Sequence, residues 1–381
     1  MISNKKAILG GVVLAIVTAI LTSTVQIVMG NKVVISKDLY EEYKKHNDLI
    51  ALEELVETGF YQDVDEEVLI ESAIKGMFNG LNDPYSLYYT EEEFKELLEQ
   101  TSGSFVGIGV YINAAPDDEY ITVISPIEGS PAEKAGIMPG DKIIKVDDKV
   151  VSSKDSDGAV AMIKGEEGTE VKVTIKRGIE TKDIVVKRET IVTETVEYTS
   201  VEDEIGYIQI TSFSEHTLKE FEGALEKAKD DKGLIIDLRN NPGGLLDVCA
   251  EIADLLVGEG TIVYTKDNQG NTEYLKSDAK KIGIPIAVLT NEGSASASEI
   301  LTAAIVDNKA GISVGTTTFG KGLVQTVREL TNGTGFKLTT AQYFTPKDEY
   351  INGKGIEPTI KEENVEKQIE VALEWLKEKI K

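Results

Sequence analysis

Three serines separated by alanines mark a segment that could supply a nucleophile. Residues 291–299 read Asn-Glu-Gly-Ser-Ala-Ser-Ala-Ser-Glu and lie between a predicted apolar strand at 284–289 and a predicted helix at about 296–306. Small residues permit a tight strand-to-helix turn, in which a hydroxyl is exposed and the next backbone N–H faces a substrate carbonyl. The segment is a candidate for nucleophilic catalysis, although serine-rich runs also serve as helix caps.

Two further segments could complete such a site. Residues 319–322 read Phe-Gly-Lys-Gly, and Gln325 follows four positions after the lysine, on the same face of a strand or a helix. Residues 237–244 read Asp-Leu-Arg-Asn-Asn-Pro-Gly-Gly at the end of a predicted strand, where flexible glycines could present a second N–H. Taken singly, each segment also fits a solvated loop or an ordinary turn.

The composition argues against other chemistries. The 381 residues include 66 acidic and 40 basic side chains, and the formal net charge of −26 disfavours binding to nucleic acid. Two histidines are too few for a multi-histidine zinc site, and Cys249 is the single cysteine, so no intrachain disulfide can form. Residues 315–321 approach a phosphate-binding loop, but Gly322 replaces the hydroxyl that would bind Mg²⁺. We therefore predict neither a metal nor a cofactor.

The N-terminus is expected to cross a membrane. Lys5 and Lys6 precede 23 uncharged residues, 7–29. A helix of that length measures about 35 Å, against roughly 30 Å of bilayer hydrocarbon. Lysines before the span favour an orientation that places the body outside the cytoplasm. An uncleaved anchor is the favoured interpretation, and a cleaved signal peptide, which would release a secreted protein, is the alternative.

The chain divides into segments of different character, and the fold class is multidomain α/β. Residues 1–32 hold a cytoplasmic stub and the anchor, and residues 33–100 are helical and strongly charged, with apolar residues at three- and four-residue spacing. Residues 101–191 contain short β-rich runs, and residues 192–364 alternate strands with helices. Residues 365–381 form an amphipathic helix, for which packing on its own core is favoured over dimerisation.

Residues 101–191 resemble a PDZ domain, a β-sandwich that binds peptide termini. The most recognisable part is residues 129–141, which begin Gly-Ser-Pro-Ala and end Pro-Gly-Asp. Glycines let successive N–H groups turn towards a peptide carboxylate, while the adjacent strand edge accepts the peptide by β-augmentation. The loop that would do this contains Val106, Gly107, Ile108, Gly109 and Val110. Arg177, at the end of a predicted strand, is either a contact between this domain and the core or a surface arginine.

Together, these segments resemble the carboxyl-terminal processing peptidases, also called tail-specific proteases. The resemblance extends from residues 80–86, Gly-Leu-Asn-Asp-Pro-Tyr-Ser, to residues 355–358, Gly-Ile-Glu-Pro, and includes every motif above except the phosphate-loop pattern. It implies a ClpP/crotonase-like α/β core with a Ser-Lys site. The roles that it implies are Ser296 as nucleophile, Lys321 as base, Gln325 as the residue that orients the base, and the N–H groups of Gly243 and Ala297 as oxyanion donors, with Gly244 as the less favoured choice.

A lysine can deprotonate a serine only when its own amine is neutral. The pKa must fall from about 10.4 to near 7–8, which burial without a carboxylate partner would achieve. Phe319 and Val324 are expected to provide apolar surroundings. Gln325 suits the orienting role because it accepts a hydrogen bond without adding the negative charge that would raise the pKa of Lys321.

The expected function is endoproteolysis of extracytoplasmic proteins at a bacterial cell membrane. The PDZ domain would select proteins or peptides with accessible C-termini and raise their concentration at the site. A homodimer is a further expectation. Two alternatives stay open: an inactive PDZ scaffold, which the intact Ser296, Lys321 and Gln325 disfavour, and amidase or esterase chemistry, which the PDZ domain disfavours.

Overall fold

The computed structural model describes residues 27–29, 32–115, 118–278 and 280–381. The chain divides into two compact units, residues 1–80 and residues 81–381, and each is described by itself. Within the described ranges, no helix has both the length and the apolar character needed to cross a membrane. The predicted anchor at residues 7–29 lies outside these ranges, except for its last three residues, which form a short strand.

The described residues of the first unit form a strand pair and three helices. Its elements are β1 Ile27–Met29, β2 Lys32–Val34, α1 Lys37–Lys45, α2 Asn47–Gly59 and α3 Glu66–Asn79. β1 and β2 pair antiparallel. α1 and α3 begin where the side chains of Ser36 and Asp65 accept hydrogen bonds from N–H groups of the first turn, as helix N-caps do. The helical prediction for this part of the chain is confirmed.

A strand and a helix open the second unit, β3 Leu87–Tyr89 and α4 Glu91–Ser102. α4 starts with a reciprocal cap, because the Glu93 N–H donates to Thr90 Oγ1 (3.2 Å) and the Thr90 N–H donates to Glu93 Oε2 (2.8 Å). The sequence analysis did not predict β3, which pairs with a strand about 250 residues further along the chain.

The PDZ region forms an antiparallel sheet of six strands with two short helices. Its elements are β4 Ser104–Gly107, β5 Val110–Asn113, β6 Ile121–Pro126, α5 Pro131–Lys134, β7 Lys142–Val146, β8 Lys149–Val150, α6 Ser156–Ile163, β9 Glu170–Arg177 and β10 Glu180–Lys187. The order β10-β9-β7-β6-β5 makes β5 the last strand of the sheet. β4 lies outside it and pairs with β11 Glu189–Val192, so the strands that enter and leave the domain lie side by side.

The core of the second unit is a mostly parallel sheet covered on both faces. Its elements, with those of a second sheet, are β12 Val196–Glu202, β13 Ile205–Ile210, α7 Thr217–Lys227, β14 Gly233–Asp237, α8 Leu246–Leu256, β15 Gly260–Asp267, β16 Thr272–Ser277, β17 Ile286–Thr290, α9 Ala297–Asp307, β18 Gly311–Gly315, β19 Leu323–Glu329, β20 Gly335–Phe344, β21 Ile360–Lys361 and α10 Val365–Lys379. The strand order is β12-β13-β14-β17-β18-β21, and every pair after β12 and β13 is parallel. Every residue of β14 and β17 is buried, as both-sided cover requires.

Two groups of helices supply that cover. α7, α8 and α9 pack their apolar residues against Ile208, Ile236 and Val288 on one face of the sheet. α10 packs Ala372 and Leu376 against the other face. The apolar side of the C-terminal helix therefore packs on its own core, as the sequence analysis favoured.

A second sheet completes the unit in the order β16-β15-β20-β19, with β3 added to β20. The sequence analysis did not predict it. Most residues of β16 and β19 are exposed or half-buried, so apolar residues do not mark these strands. β15 and β20 pair across a long sequence separation, which local pattern does not reveal.

Arg177 is bound inside the PDZ domain. Its Nε and Nη2 donate to the two carboxylate oxygens of Asp141, each at 2.7 Å, and Nη2 also donates to the carbonyl of Gly136 at 2.8 Å. The Asp141 side chain is only 1% exposed. Burial raises the pKa of Asp141, but hydrogen bonds from Arg177 and the Met138 N–H, with the charge of Arg177, hold that pKa below its usual value. In this conformation the guanidinium is committed to the PDZ fold.

Arg177→Met should destabilise the PDZ domain more than the loss of an exposed ion pair does, because it leaves the buried carboxylate of Asp141 without its guanidinium partner. Hydrogen exchange of the β9 amides in the full chain measures this. The matched control Lys134→Met removes an exposed ion pair with Glu189 and should cost under about 0.5 kcal/mol.

The same difference should depend on pH. Because the folded-state pKa of Asp141 is depressed, its stabilisation is complete above the ordinary carboxylate pKa near 4 and is lost as pH falls through the lower, folded value. The gap between wild type and Arg177→Met should shrink below about pH 4. A gap that stays constant to pH 2 would contradict this account.

Candidate active site

Three neighbouring parallel strands place the candidate residues at one edge of the sheet. β14 leads into the loop that carries Gly243, β17 into the turn that carries Ser296, and β18 into the loop that carries Lys321. β14 pairs with β17 and β17 with β18, all in parallel. The carboxyl ends of adjacent parallel strands meet at the same edge, which is where α/β proteins place their sites.

Ser296 stands at a strained turn directly before α9. Its backbone has φ 55° and ψ −113°, a conformation that residues other than glycine rarely adopt. Such backbone costs of the order of 1–3 kcal/mol and persists only where surrounding contacts impose it. It turns the chain sharply from strand to helix, as the sequence predicted, although α9 begins at Ala297 rather than at Ser296.

The other two serines of the segment are structural. The Ser294 hydroxyl donates to the Leu238 carbonyl at 2.8 Å, and the Ser298 hydroxyl donates to the Asn241 carbonyl at 3.0 Å. Both side chains are completely buried. Of the three serines, Ser296 is the one that lines the cavity described below.

The buried carboxylate of Glu299 joins the turn at Ser296 to the loop that carries Lys321. Its Oε2 accepts hydrogen bonds from the N–H groups of Ser296 and Lys321, both at 2.9 Å. Its Oε1 accepts from the Gly320 N–H at 2.8 Å and from the Thr318 hydroxyl at 2.5 Å. Four donors satisfy the acceptor-only carboxylate, which explains why a fully buried glutamate is tolerated here.

Tyr343 of β20 holds the same two residues through their carbonyl groups. Its hydroxyl donates to the Lys321 carbonyl and lies 3.3 Å from the Ser296 carbonyl oxygen. Burial raises the pKa of Tyr343 well above its usual value, and the charge of Glu299 acts in the same direction, so the hydroxyl keeps its proton for this role.

A cavity of about 350 Å³ brings all five predicted catalytic and oxyanion residues together. Ser296, Ala297, Lys321, Gln325 and Gly243 line it. Its other walls are largely apolar and include Leu97 of α4, Leu245, Leu246, Ile300, Leu323 and Val324.

Burial lowers the pKa of Lys321, and the charge of Lys337 lowers it further. The charges of Asp83 and Glu299 act in the opposite direction. Within the described part of the chain, no carboxylate forms an ion pair with the Lys321 amine. The expected apolar cover is present at Val324, which lines the cavity together with Leu323, but not at Phe319, which is 55% exposed.

Gln325 lies in the cavity wall but contacts another partner. Its Nε2 donates to Thr339 Oγ1 at 3.3 Å. A bulge between Val324 and Gln325 alters the alternation of side chains between the two faces of β19. The four-residue spacing from Lys321 therefore does not by itself determine the face on which Gln325 lies. The orienting contact between Gln325 and Lys321 stays a prediction.

Gly243 packs directly against the turn at Ser296. A side chain there would lie 2.9 Å from Ser296 Cβ and 2.7 Å from the Ala295 carbonyl oxygen, and φ is 101°, so only glycine fits. Its N–H donates to Asn241 Oδ1 at 2.8 Å. A role as oxyanion donor therefore requires this bond to open or to be shared.

The PDZ loop, residues 106–110, is closed by Gly109 at φ 75°, where a Cβ would lie 2.5 Å from the side chain of Ser130. The Gly109 carbonyl accepts hydrogen bonds from the Ile127 N–H and the Ser130 hydroxyl, both at 3.0 Å. Ile108 is buried in the domain core together with Ala159 and Ile163 of α6. The loop thus leads from the core directly into β5, the last strand of the sheet.

Fold and site define a serine peptidase that carries a PDZ domain. The family profile of peptidase family S41 matches residues 204–362, that of the PDZ domain matches residues 122–177, and that of the activating protease CtpB N-terminal domain matches residues 22–93.

Known proteins agree with these matches. The carboxy-terminal processing protease CtpA of Bacillus subtilis (strain 168) is 40% identical over 357 residues, which cover 92% of this chain and 76% of the relative. A "Probable CtpA-like serine protease" of Staphylococcus haemolyticus (strain JCSC1435) is 40% identical over 353 residues, 91% of this chain and 70% of the relative. Among solved structures, the photosystem II D1 C-terminal processing protease aligns with a TM-score of 0.51 and 28% identity, over 89% of this chain and 98% of that one. The chain belongs to peptidase family S41 and is a carboxy-terminal processing serine protease.

Sequence reasoning missed Glu299, Tyr343 and Asn241 as organisers of the site. Glu299 closes the serine segment at the third helical position, where a glutamate usually suggests an ordinary capping box. The signal that could have found it is its place at the start of a predicted helix whose following residues are mostly apolar. No feature of the neighbouring sequence identifies Tyr343, which belongs to the second sheet.

Glu299→Gln should lower the catalytic rate by about a hundredfold and the free energy of unfolding by about 3 kcal/mol, because an amide cannot accept all four hydrogen bonds. Urea unfolding followed through Trp375, the single tryptophan, measures stability, and casein cleavage measures rate. Glu292→Gln is the matched control, since Glu292 is an exposed glutamate of the same segment. Equal effects at both positions would contradict the role of Glu299 in holding Ser296 and Lys321 in place.

Proposed function

We propose that the protein cleaves peptide bonds with Ser296 as nucleophile and Lys321 as general base. The observation that carries the proposal is the common cavity, in which Ser296 and Lys321 lie together under largely apolar walls. The lowered pKa of Lys321, caused first by burial and then by Lys337, supports the role of base. Glu299 and Tyr343 hold the backbones of both residues, which supports a fixed geometry.

The steps follow from these groups. The neutral Lys321 amine takes the proton of the Ser296 hydroxyl as the oxygen attacks the scissile carbonyl carbon, and the carbonyl oxygen becomes an oxyanion. The Ala297 N–H, at the first turn of α9, and the Gly243 N–H, once released from Asn241, stabilise that charge. The Lys321 ammonium then gives its proton to the leaving amine, the C–N bond breaks, and water hydrolyses the acyl-enzyme through the same base.

The proposed substrates are proteins and peptides with accessible C-terminal tails. The PDZ loop and β5 support this, because a loop that closes onto the last strand of a sheet can accept an added peptide strand. α4 lies between the domain and the site: Glu99 forms an ion pair with Lys164 of the PDZ domain at 2.6 Å, and Leu97 lines the cavity. Apolar cavity walls favour apolar side chains at the scissile bond.

We further propose that the chain is anchored in a bacterial cell membrane with its body outside the cytoplasm. The 23 uncharged residues after Lys6 support the anchor. Release as a secreted protein is the alternative outcome. A homodimer stays a prediction, and α10 lends it no support because its apolar face packs on its own sheet.

Ser296→Ala and Lys321→Ala should each reduce casein cleavage by at least about a thousandfold, since the nucleophile and its base act as a unit. Ser200→Ala and Lys276→Ala replace exposed residues of the same types and should leave the rate unchanged. Circular dichroism verifies folding of all four variants.

Activity that survives Ser296→Ala would reject the nucleophile. If the unmutated chain is inert, a peptide with a free apolar C-terminus is added to occupy the PDZ domain. Continued inactivity with that peptide would reject the proposed site.

The full chain should sediment with membranes and resist carbonate extraction, and protease added to intact spheroplasts should degrade its body. The chain that lacks residues 1–32 should be soluble. It should stay inside the spheroplasts, where the added protease cannot reach it. Processing of the full chain to a soluble form in the medium would favour the secreted alternative, and a protected, cytoplasmic body would contradict both.

A further inference from the structure

The turn at residues 82–86 lies against the candidate base, and the proposed mechanism leaves it unused. The carboxylate of Asp83 accepts hydrogen bonds from the Tyr85 N–H (3.1 Å) and the Ser86 hydroxyl (2.5 Å). The Ser86 oxygen in turn accepts from the Thr339 N–H of β20 at 2.9 Å. Ser86 is buried, so this small network fixes the turn to the sheet that also carries Tyr343.

That turn presents the ring of Tyr85 to the amine of Lys321. The Lys321 Nζ lies 4.9 Å from the centroid of the Tyr85 ring, within the range of a cation–π contact. Tyr85 is half-buried, which limits competition from water. Lys337 lies beside a different ring, since its Nζ is 5.9 Å from the ring centroid of Tyr89 in β3.

The charged groups around Lys321 come from three elements. Asp83 approaches from the turn, Glu299 from α9 and Lys337 from β20, and the Tyr343 hydroxyl contacts the Lys321 backbone. No carboxylate within the described residues pairs with the amine. The Tyr85 ring therefore lies beside the atom that must change its charge during the reaction.

We propose that Tyr85 is a positioning residue whose ring face receives the Lys321 ammonium formed during catalysis. The inference rests on the proposed function of Lys321 as base. When Ser296 loses its proton, Nζ becomes an ammonium in a site that burial makes unfavourable for charge. A ring face attracts that cation without adding a negative charge or an acceptor that would hold its proton, so the amine can still protonate the leaving group.

The alternative is that Tyr85 only fills space beside the lysine. The two roles differ in how they affect the pH dependence of kcat/KM. A ring that favours the ammonium raises the pKa of Lys321, so its removal should lower that pKa and move the acidic limb to lower pH. Loss of packing alone would reduce activity without moving the limb in that direction.

The experiment measures kcat/KM for a fluorogenic casein-derived peptide between pH 5 and 10 with the full chain. Tyr85→Leu should move the acidic limb down by ~1 pH unit and lower the plateau kcat by up to about tenfold, with KM little changed. Tyr85→Phe keeps the ring and should stay within about 0.3 pH unit of wild type. Pentafluorophenylalanine at Tyr85 keeps the shape and reverses the ring's electrostatics, so it should behave as leucine does even if leucine impairs folding.

Two control variants separate the proposal from the function on which it rests. Lys337→Met removes a positive charge near Lys321 and should move the acidic limb up, which tests whether the limb reports Lys321. Tyr274→Leu removes a tyrosine beneath Lys276 (5.7 Å) away from the cavity and should leave the profile unchanged.

The outcomes are distinct. A limb that moves up in Lys337→Met and down in Tyr85→Leu and the fluorinated variant supports the proposal. A limb that responds to Lys337→Met but not to the two Tyr85 variants overturns the role of the ring and leaves the base in place. A limb that responds to none of them shows that Lys321 is not the titrating base, and the proposed function fails together with the inference.

Discussion

The buried carboxylate of Glu299 is the interaction on which the rest of the site depends. Its two oxygens accept hydrogen bonds from the N–H groups of Ser296 and Lys321, from the Gly320 N–H and from the Thr318 hydroxyl. Without them, the strained backbone at Ser296 would lose one of the contacts that impose it, and the loop that carries Lys321 would lose three of its hydrogen bonds. Because the carboxylate binds backbone groups, it holds both residues in place without forming an ion pair with the lysine amine. Such a pair would keep that amine protonated.

The sheet explains why one carboxylate can reach both segments. β14, β17 and β18 are adjacent and parallel, so their carboxyl ends converge, and the loops that follow them need only a few residues to meet. The second sheet covers this edge through β20, which contributes Tyr343 and, through Thr339, the anchor for the turn at Asp83. α4 adds a wall of the cavity and an ion pair to the PDZ domain. The site therefore lies where three parts of the second unit meet.

Sequence predicted the parts of this arrangement that local pattern encodes. The alternation of strands and helices in the core, the PDZ order of elements and the serine, lysine and glycine segments were recognisable, because apolar runs and glycine-rich turns are local features. β3, β15, β16, β19 and β20 were missed, since they are partly exposed and several pair with distant segments. The bond from Gly243 to Asn241 and the contact of Gln325 with Thr339 depend on side-chain geometry that no spacing reveals. Phe319 was expected to cover the lysine and is exposed, because apolar character alone does not determine the direction of a loop residue.

The pKa of Lys321 is a property of the fold rather than of the motif that contains it. Burial and Lys337 lower that pKa, and Asp83 and Glu299 oppose them, from positions as distant in sequence as residues 83 and 337. A lysine with only depressing influences would be neutral but weakly basic, and one with a carboxylate in contact would be basic but always charged. The face of the Tyr85 ring, whose centroid lies 4.9 Å from Lys321 Nζ, gives an intermediate case, since it favours the ammonium without abolishing the neutral amine. The segment Phe-Gly-Lys-Gly supplies the amine, and its reactivity is set by groups that the tertiary structure brings to it.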